Sequence, residues 1–537
     1  MQAKALDQWT RDLPITARRG DIVDTNGVTL VTSQTCYGVY IRAKNILEPE
    51  KVASVLSQKL DVSYEGVLKK AKNKGVSEIT IKRQVEAQTI AELREFNLEG
   101  VYFAEESSRY YVYGDFLTQV LGFVSVDSVG QTGIEAQYDK YLRGIDGQLL
   151  TQADLVGKEL PEREMYYVPS VDGLQVTLTI DYSIQFAVEN TLNAIMYNHS
   201  PKSVKCIVMD VTNGQILALS SKPSFNLNAI PRDNITQLME YSRNGLITDI
   251  FEPGSTFKVL TASATLEESS RGNASAFNAD YIFKNNSNVR HIGGGKISCW
   301  TKHTNGKHCN QHLSQALNNS CNPIFTDIAL SLGKETMYNY LQAFGYGSKT
   351  GVDFIGEQSG MLVPYSSCTE GDLARIGFGQ SVAVTALQLC NATAAAINGG
   401  YLFKPYFVKK ISDKDGKIVK EFYPTVINKV ISSQTSQQLA VMLENVVTLG
   451  SGKQAYIKGY EVGGKTGTAQ KYENGVIARG KNISSFVGFF PASSPKYLCF
   501  VMVDEPIGVS YGSVVAAPYA RLIFEQIISL YNIPPKP

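Results

Sequence analysis

The stretch Phe251-Glu-Pro-Gly-Ser-Thr-Phe-Lys258 places a serine and a lysine three residues apart, directly after a Pro-Gly turn signal. The residues that follow are largely apolar, which predicts a buried helix beginning near Ser255. Because positions three apart share one helix face, we expect the Lys258 amine beside the Ser255 hydroxyl. Burial would lower the pKa of Lys258, and a neutral amine there can activate Ser255 as a nucleophile. The alternative is a serine that caps a helix, followed by a surface lysine.

Two further motifs follow Ser255 in order along the chain. Ser320-Cys-Asn322 comes after a predicted helix that contains Leu313-Ser-Gln-Ala-Leu317. Lys465-Thr-Gly467, extended by Thr468, comes after Tyr460-Glu-Val-Gly-Gly464. Together the three motifs supply a nucleophilic serine, amine bases and a cationic, hydroxyl-rich strand that can hold a carboxylate.

The S-x-N and K-T-G motifs also have rival copies, and the context of those copies argues against them. Copies of S-x-N begin at Ser224 and Ser242, but both precede Ser255 and so break the order. A second K-T-G begins at Lys349, in a glycine-punctuated segment that favours a turn. The ordered set Ser255, Ser320 and Lys465 is therefore more specific than any of its parts.

The segments after Lys465 indicate the fold class. Two β-prone runs, Ser484-Ser-Phe-Val-Gly-Phe-Phe490 and Tyr497-Leu-Cys-Phe-Val-Met-Val503, predict neighbouring strands of an antiparallel sheet. At 537 residues the chain is too long for one domain, and 43% hydrophobic residues are ordinary for a globular protein. The 51 basic residues balance 50 acidic ones without a basic block, so we expect no nucleic-acid partner.

The motifs resemble those of class B penicillin-binding proteins, of the Gram-positive type that includes the stage V sporulation protein D group. Arg19-Gly-Asp-Ile-Val-Asp-Thr-Asn-Gly27 is similar to an N-terminal signature of that family, with Thr25 in place of the usual arginine. Further segments that resemble the family are Gly133-Ile-Glu135, Leu142-Arg-Gly144, Gly377-Phe-Gly-Gln380, Thr385-Ala-Leu-Gln388 and Ser451-Gly-Lys-Gln454.

The resemblance implies an α+β protein of two parts. Residues 1–165 would form an elongated, mixed α/β N-terminal pedestal domain for dimerisation or partner contacts. Residues 166–537 would form a penicillin-binding, β-lactamase-like transpeptidase domain, with an antiparallel sheet flanked by helices and the motifs in a cleft.

The resemblance also implies roles for the motif residues in acyl transfer. Ser255 would attack the penultimate D-Ala carbonyl of a peptidoglycan stem peptide, with Lys258 as base, although the base is disputed across this superfamily. Ser320 would relay a proton to the leaving amine, tuned by Lys465, while Asn322 holds the substrate backbone. The strand Thr466, Gly467 and Thr468 would bind the terminal carboxylate, and the backbone N–H groups of Ser255 and Thr468 would form an oxyanion hole.

The implied function is a serine D,D-transpeptidase that cross-links stem peptides and is acylated by β-lactams at Ser255. One alternative is a serine β-lactamase or β-lactam sensor, which would share the motifs; we find no convincing E-x-x-L-N-type deacylation motif between Asn322 and Lys465. Another is a non-enzymatic scaffold. Elongation, septation and spore-cortex synthesis all remain open, as does the identity of a glycosyltransferase partner.

Family members carry one N-terminal transmembrane anchor, with the catalytic part on the extracytoplasmic face of the cell membrane. No run of 18 or more apolar residues and no secretory signal occur here. The segment Met1-Gln-Ala-Lys-Ala-Leu-Asp-Gln-Trp9 resembles the region just beyond that anchor, so we expect an anchor upstream of Met1. The proline-rich tail from Tyr531 to Pro537 is typical of a linker to further modules.

A cluster of cysteines and histidines surrounds the S-x-N motif. Cys299, Cys309, His312 and Cys321 offer four ligands of the types that zinc prefers, which predicts a structural zinc site bracing that motif. Either His303 or His308 can substitute in this set, and free core thiols or a disulfide are alternatives. The other cysteines are scattered, which favours buried hydrophobic positions: Cys36, Cys206, Cys368, Cys390 and Cys499.

Overall fold

A computed structural model describes residues 10–152, 166–284, 286–303, 308–473 and 476–536. The N-terminal segment 1–9, compared above with the region beyond a membrane anchor, lies outside the described residues, and so does the end of the predicted pedestal, 153–165.

The N-terminal part combines a long strand pair with short helices. Its strands are β1 Thr10–Ile15, β2 Ile22–Val23, β3 Thr29–Ile41, β4 Ile79–Val85, β5 Val101–Tyr111 and β6 Gly147–Gln152. Its helices are α1 Pro49–Leu60, α2 Tyr64–Lys72, α3 Ala87–Glu95, α4 Thr118–Leu121, α5 Gly133–Gln137 and α6 Asp139–Leu142, with a 3₁₀ turn at Ala43–Asn45. Strand β3 pairs antiparallel with β5 from Val31↔Tyr111 to Ile41↔Val101. Apolar residues of β3, α1 and α3 form a small core of their own beside this pair.

The second part is larger and contains all three motifs. Its strands are β7 Tyr166–Val168, β8 Gln175–Leu178, β9 Ser203–Asp210, β10 Ile216–Lys222, β11 Ile250–Phe251, β12 Ile282–Phe283, β13 Val289–Ile292, β14 Gly295–Ser298, β15 Gln311–His312, β16 Met361–Leu362, β17 Val382–Thr385, β18 Tyr401–Phe403, β19 Val408–Ser412, β20 Ile418–Glu421, β21 Val426–Lys429, β22 Gly463–Glu473, β23 Val476–Phe490 and β24 Tyr497–Asp504.

Helices surround these strands. They are α7 Tyr182–His199, α8 Ile235–Ser242, α9 Gly245–Thr248, α10 Lys258–Ser270, α11 Leu313–Asn318, α12 Asn322–Ala343, α13 Glu370–Ile376, α14 Ala386–Ile397, α15 Ser433–Thr448, α16 Gly512–Val515 and α17 Ala517–Leu530, with 3₁₀ turns at Gly254–Phe257, Tyr365–Ser367 and Lys453–Ala455.

The predicted antiparallel sheet flanked by helices is confirmed. Five strands lie in the order β10-β9-β24-β23-β22, and β24 pairs antiparallel with both β9 and β23. Successive residues of β24 enter two different cores: Cys499 and Val501 pack with α7 and α17, while Leu498 and Phe500 pack with α14. Because helices cover both faces, the strand is apolar throughout rather than alternating.

One helical stretch, Gly512–Leu530, is long and apolar enough to cross a membrane by length and composition. It forms α16 and α17, and α17 packs on β23 and β24. Ile523, Phe524 and Ile527 are fully buried in the core with those strands. We therefore interpret the stretch as a core helix of the second part.

The two parts share one sheet. Its strands run in the order β20-β19-β8-β2-β3-β4, with β5 also paired to β3, so N-terminal strands lie beside strands of the second part. The junction is the parallel pairing of β2 with β8, with Ile22 opposite Val176. A sequence boundary between residues 165 and 166 therefore does not correspond to a break in hydrogen bonding.

Candidate active site

Ser255 lies on the 3₁₀ turn that leads into α10. Gly254 adopts φ +53°, in the left-handed region that favours glycine, and its N–H donates to Gly379 O at 2.9 Å. The Thr256 hydroxyl donates to Pro253 O at 2.7 Å and closes the turn. Helix α10 is buried from Lys258 to Glu267, as the apolar run predicted. The half-buried Ser255 side chain is thus held on a rigid turn at the edge of the core.

The Lys258 amine lies at the centre of the motifs. Its Nζ is 3.1 Å from Ser255 Oγ, as the helical spacing predicted, and donates to Asn322 Oδ1 at 2.7 Å. It also lies 2.8 Å from Ser320 O and 3.1 Å from Ser320 Oγ. The side chain is fully buried, and this burial lowers the pKa of Lys258 to about 7. A substantial fraction of the amine is therefore neutral near pH 7.

Ser320 connects the two lysines of the motifs. It lies between α11 and α12 at φ +52°, a left-handed conformation that is uncommon for serine and costs of order 1–3 kcal/mol. Its Oγ is 3.1 Å from Lys258 Nζ and 3.0 Å from Lys465 Nζ. The strained backbone thus presents one hydroxyl to two amines.

Lys465 is fully buried on β22 and also donates to Thr466 O at 3.2 Å. Burial, followed by the neighbouring Lys258 charge, holds the pKa of Lys465 well below its ordinary value. Two amines around one hydroxyl do not both carry a charge readily, because each charge disfavours the other. The arrangement favours passing a proton among Lys258, Ser320 and Lys465.

Strand β22 brings its motif residues against the Ser255 turn. At Gly467 a Cβ atom would lie 2.9 Å from Thr256 Cγ2 and 2.6 Å from Ser485 Oγ, so only glycine permits this approach. Thr466 Oγ1 is 3.0 Å from Ser451 Oγ, and Thr468 Oγ1 accepts the Gly512 N–H at 3.3 Å. Because β22 is the last strand of its sheet, its outer edge is open to an extended ligand.

Asn322 makes contacts beyond those predicted from the sequence. Its Oδ1 accepts from Lys258, and its Nδ2 donates to Ser298 O at 3.2 Å, where β14 ends. A substrate carbonyl that binds this amide would compete with Ser298 O. This contact was not predicted from the sequence, because it depends on how the β13–β14 hairpin folds over the motif.

The rival motif copies are separate from this centre. Ser224 Oγ contacts Asp115 and Lys222, and Ser242 Oγ contacts only Met239 O among the described hydrogen bonds. In the second K-T-G, the Thr350 N–H donates to the Glu357 carboxylate in a loop, as its glycine-rich context indicated.

The cysteine–histidine cluster differs from the predicted ligand set. Cys299, His303 and Cys321 have ligand atoms within 4.8 Å of one another, whereas Cys309 and His312 lie outside this group. His312 pairs in β15 and begins α11, and its Nδ1–H donates to Asp280 O at 3.1 Å, which turns the ring elsewhere. The group that the fold assembles is thus Cys-His-Cys, with the substitute His303 in place of His312.

The two thiols of this group share a hydrogen bond. This bond lowers the pKa of Cys299 and raises the pKa of Cys321. The five cysteines outside the predicted ligand set are buried and form no disulfide, as predicted for hydrophobic core positions: Cys36, Cys206, Cys368, Cys390 and Cys499.

Comparison with known families covers both parts of the chain. The family described as "Penicillin binding protein transpeptidase domain" matches residues 204–528, and "Penicillin-binding Protein dimerisation domain" matches residues 14–178. The first covers all three motifs.

Individual relatives match along nearly the whole chain. Stage V sporulation protein D of Bacillus subtilis is 37% identical, over 99% of this chain and 81% of that protein. A probable peptidoglycan D,D-transpeptidase, PenA of Neisseria meningitidis, is 28% identical over 98% of this chain and 86% of that protein.

Among solved structures, a peptidoglycan synthetase from Bifidobacterium adolescentis superposes with a TM-score of 0.78, at 25% identity and over 98% of both chains. The two-part fold is therefore matched by a solved structure, and the sequence relatives cover both parts of the chain. The chain belongs to the penicillin-binding protein transpeptidases, the family of serine enzymes that its three motifs indicated.

Proposed function

We propose that this enzyme cross-links peptidoglycan stem peptides through an acyl-enzyme on Ser255. The observation that carries the proposal is the set of contacts around Lys258. A neutral amine has two N–H donors and one lone pair. Ser320 O and Asn322 Oδ1, at 2.8 and 2.7 Å, can take the two donors, which leaves the lone pair for the Ser255 hydroxyl at 3.1 Å.

The acylation step follows from that geometry. Ser255 Oγ bonds to the penultimate D-Ala carbonyl carbon, and its proton passes to Lys258 Nζ. The bond to the terminal D-Ala nitrogen then breaks, and that nitrogen takes a proton from the Ser320 hydroxyl. Ser320 lies within 3.1 Å of both lysine amines, so the proton taken by Lys258 can replace the one it gave.

The strand residues bind the substrate in this proposal. Thr468 Oγ1 accepts the Gly512 N–H, so its own proton is available to the terminal carboxylate, together with the Thr466 hydroxyl. Backbone N–H groups of Ser255 and Thr468 stabilise the developing oxyanion, at about 3 kcal/mol of barrier for each donor. An amine of a neighbouring stem then attacks the ester carbonyl, and its proton passes through Lys258 Nζ to Ser255 Oγ as the ester bond breaks, which frees Ser255 and leaves the new amide cross-link.

β-Lactams react by the same first step. Ring opening joins the carbonyl carbon to Ser255 Oγ, but the leaving nitrogen stays tethered and continues to occupy the site. We therefore expect a long-lived acyl-enzyme. The alternative of a β-lactamase predicts fast hydrolysis of this ester instead, and the match of residues 14–178 to a dimerisation domain favours the transpeptidase.

The proposal is tested with a fluorescent penicillin and intact-protein mass measurement. Wild-type protein should gain the mass of one penicillin and keep it for many minutes, whereas Ser255→Ala should gain none. Ser242→Ala, from a rival S-x-N copy at the end of α8, is the matched control and should label like wild type. Labelling that persists in Ser255→Ala would contradict an acyl-enzyme on Ser255, and a label that wild type loses within seconds would favour the β-lactamase over the transpeptidase.

The cellular location and the partner protein in this proposal are inferred from the substrate. Peptidoglycan is built outside the cytoplasmic membrane, so we place the site on the extracytoplasmic face, held by an anchor upstream of Met1. A glycosyltransferase that supplies uncross-linked glycan strands is the expected partner. Membrane fractionation and co-purification with the product of the full-length gene test both statements.

A structural zinc ion beside the S-x-N motif also belongs to this proposal. The chemistry of two thiols and an imidazole supports it, with Cys299, His303 and Cys321 as the ligands.

A further inference from the structure

The loop that follows α15 connects two of the three motifs. Within it, the Ser451 N–H donates to Asn318 O at 3.0 Å, at the end of α11 and just before Ser320 in the chain. Ser451 Oγ lies 3.0 Å from Thr466 Oγ1 on β22. One residue is thus bonded through its backbone to the S-x-N side of the site and through its hydroxyl to the K-T-G strand.

The position of this loop is fixed by its backbone. The N–H groups of Gly450 and Gly452 both donate to Val446 O, at 3.1 and 2.9 Å, so the loop is held on the end of α15. At Gly450 a Cβ atom would lie 2.8 Å from both Cα and O of Asn318, so the loop also lies directly against α11. The Ser451 hydroxyl between these two glycines is therefore held in place beside β22.

The direction of the hydrogen bond between Ser451 and Thr466 decides what Thr466 can bind. Each hydroxyl has one proton to donate and can accept through its oxygen. If Thr466 donates to Ser451, it has no proton left for a ligand. If Ser451 donates to Thr466, the Thr466 proton is free for the terminal carboxylate. Because Thr466 is only 8% exposed, water is a poor substitute for either partner.

Thr468 has the same arrangement with a backbone donor. Its Oγ1 accepts the Gly512 N–H at 3.3 Å, and because an N–H only donates, the Thr468 proton is left for a ligand. Thr466 and Thr468 are alternate residues of β22, so their side chains lie on the same face of the strand. With Ser451 as donor, both threonines accept from the protein and both offer a proton on that face.

We propose that Ser451 is a positioning residue, which donates its hydroxyl proton to Thr466 and so directs the Thr466 proton to the terminal carboxylate of the substrate. This inference rests on the acyl-enzyme and the carboxylate contact proposed above. A carboxylate only accepts hydrogen bonds, so its binding sets one direction from Ser451 through Thr466 to the ligand. Hydrogen bonds aligned in one direction polarise one another and strengthen the contact with the charge. The enzyme thereby selects ligands with a free carboxylate over neutral analogues.

The experiment compares acylation by a penicillin with acylation by its methyl ester, which keeps the β-lactam ring but lacks the charge. We expect wild type to react faster with the acid. Ser451→Ala should slow acylation by the acid about tenfold and change the rate with the ester by no more than about twofold. The ratio of the two rates is the readout, because a general loss of structure slows both reactions alike.

Further variants at the same position keep the test independent of folding. Ser451→Thr retains a hydroxyl and should keep the preference for the acid. Ser451→Cys places a weaker donor there and should give an intermediate preference. Ser314→Ala is the matched control, since Ser314 Oγ on α11 contacts Asn445 of α15 at 3.4 Å, and it should keep both rates. The melting temperature of each variant reports its folding.

The possible failures are distinguishable. Equal slowing of both compounds by Ser451→Ala, or slowing of neither, would overturn the role of Ser451. An equal loss of acid preference in Ser314→Ala would show a general effect of the contact between α11 and α15 and would also overturn it. A wild-type protein that reacts equally with acid and ester would overturn the carboxylate contact, and one that reacts with neither would overturn the proposed function itself.

Discussion

At the scale of a single residue, the protonation of the Lys258 amine matters most for the proposed chemistry. Its amine is fully buried, yet it faces two carbonyl-type oxygens and two hydroxyls. Burial disfavours the ammonium form and lowers the pKa of Lys258, and the nearby Cys321 and Cys299 thiols oppose part of that shift. The outcome is a pKa of about 7, close to the value at which a general base is most effective.

The residue-scale prediction is a pH dependence. Raising the pH deprotonates Lys258, so the second-order rate of penicillin acylation should rise with a midpoint near pH 7 and then level off. The measurement is stopped-flow acylation between about pH 5 and pH 9, with melting temperature followed in parallel to exclude unfolding. A rate that is flat across this range would show that Lys258 is not the titrating base.

At the scale of elements, the site depends on how closely strand β22 approaches the turn that carries Ser255. The strand can lie there because Gly467 has no side chain, and the turn can close because Gly254 and Gly379 meet backbone to backbone. At Gly379 a Cβ atom would lie 2.1 Å from Gly254 O, so this contact also excludes any larger residue. Glycines at these contacts therefore let β22 and the segment of Gly379 lie close to the turn that carries Ser255.

Gly467→Ala tests that dependence. The added methyl would meet Ser485 Oγ at 2.6 Å and Thr256 Cγ2 at 2.9 Å, so these side chains or β22 itself must shift. We expect acylation by penicillin to slow by about 100-fold while the protein still folds.

The control for this variant is Gly66→Ala on α2, where the nearest atom to the new Cβ is Ser63 Cβ at 3.4 Å. It should acylate normally and melt at the same or a slightly higher temperature, because alanine favours a helix. If Gly467→Ala acylates at the wild-type rate, the close approach of β22 is not what positions the substrate strand.

At the scale of the whole molecule, the two parts are joined by more than a linker. They share the sheet containing β2 and β8, and a partly buried carboxylate provides a second connection. Asp353 accepts the Tyr138 hydroxyl at 2.6 Å and the Phe407 and Val408 N–H groups at 2.7 and 3.0 Å. Tyr138 comes from the N-terminal part and the other three residues from the second part.

Tyr138→Phe removes one of these three donors from the partly buried Asp353 carboxylate. We expect the free energy of unfolding to fall by about 1–3 kcal/mol, with the acylation rate at moderate temperature unchanged. Denaturant unfolding measures the first quantity and penicillin labelling the second.

Tyr423→Phe is the control for Tyr138→Phe, since the Tyr423 hydroxyl also binds a carboxylate, that of Glu421, but its side chain is 68% exposed. It should change stability little, because water replaces an exposed hydrogen bond. Equal effects of the two substitutions would show that Asp353 does not hold the two parts together.

The sequence by itself determined the chemistry and the organisation of this protein. The Ser255–Lys258 spacing predicted a helical juxtaposition, the apolar runs after Lys465 predicted adjacent strands, and the order of the motifs selected the copies that the structure brings together. These features are local or periodic, so a single sequence is enough to recognise them. The expectation that the three motifs meet in one cleft came from the family that they resemble.

Only the tertiary structure decided which groups meet across distant segments. In the structure, His303 lies with Cys299 and Cys321, whereas the predicted ligands Cys309 and His312 do not. Ser320 Oγ lies between two lysine amines, and β2 pairs with β8 across the boundary between the two parts. The one sequence signal for His303 was its spacing of four residues from Cys299, which competed with equally plausible spacings nearby. Such contacts depend on the direction in which each loop turns its side chains. For His303 and His312 that direction is set by hydrogen bonds from the ring to the backbone carbonyls of Asn286 and Asp280.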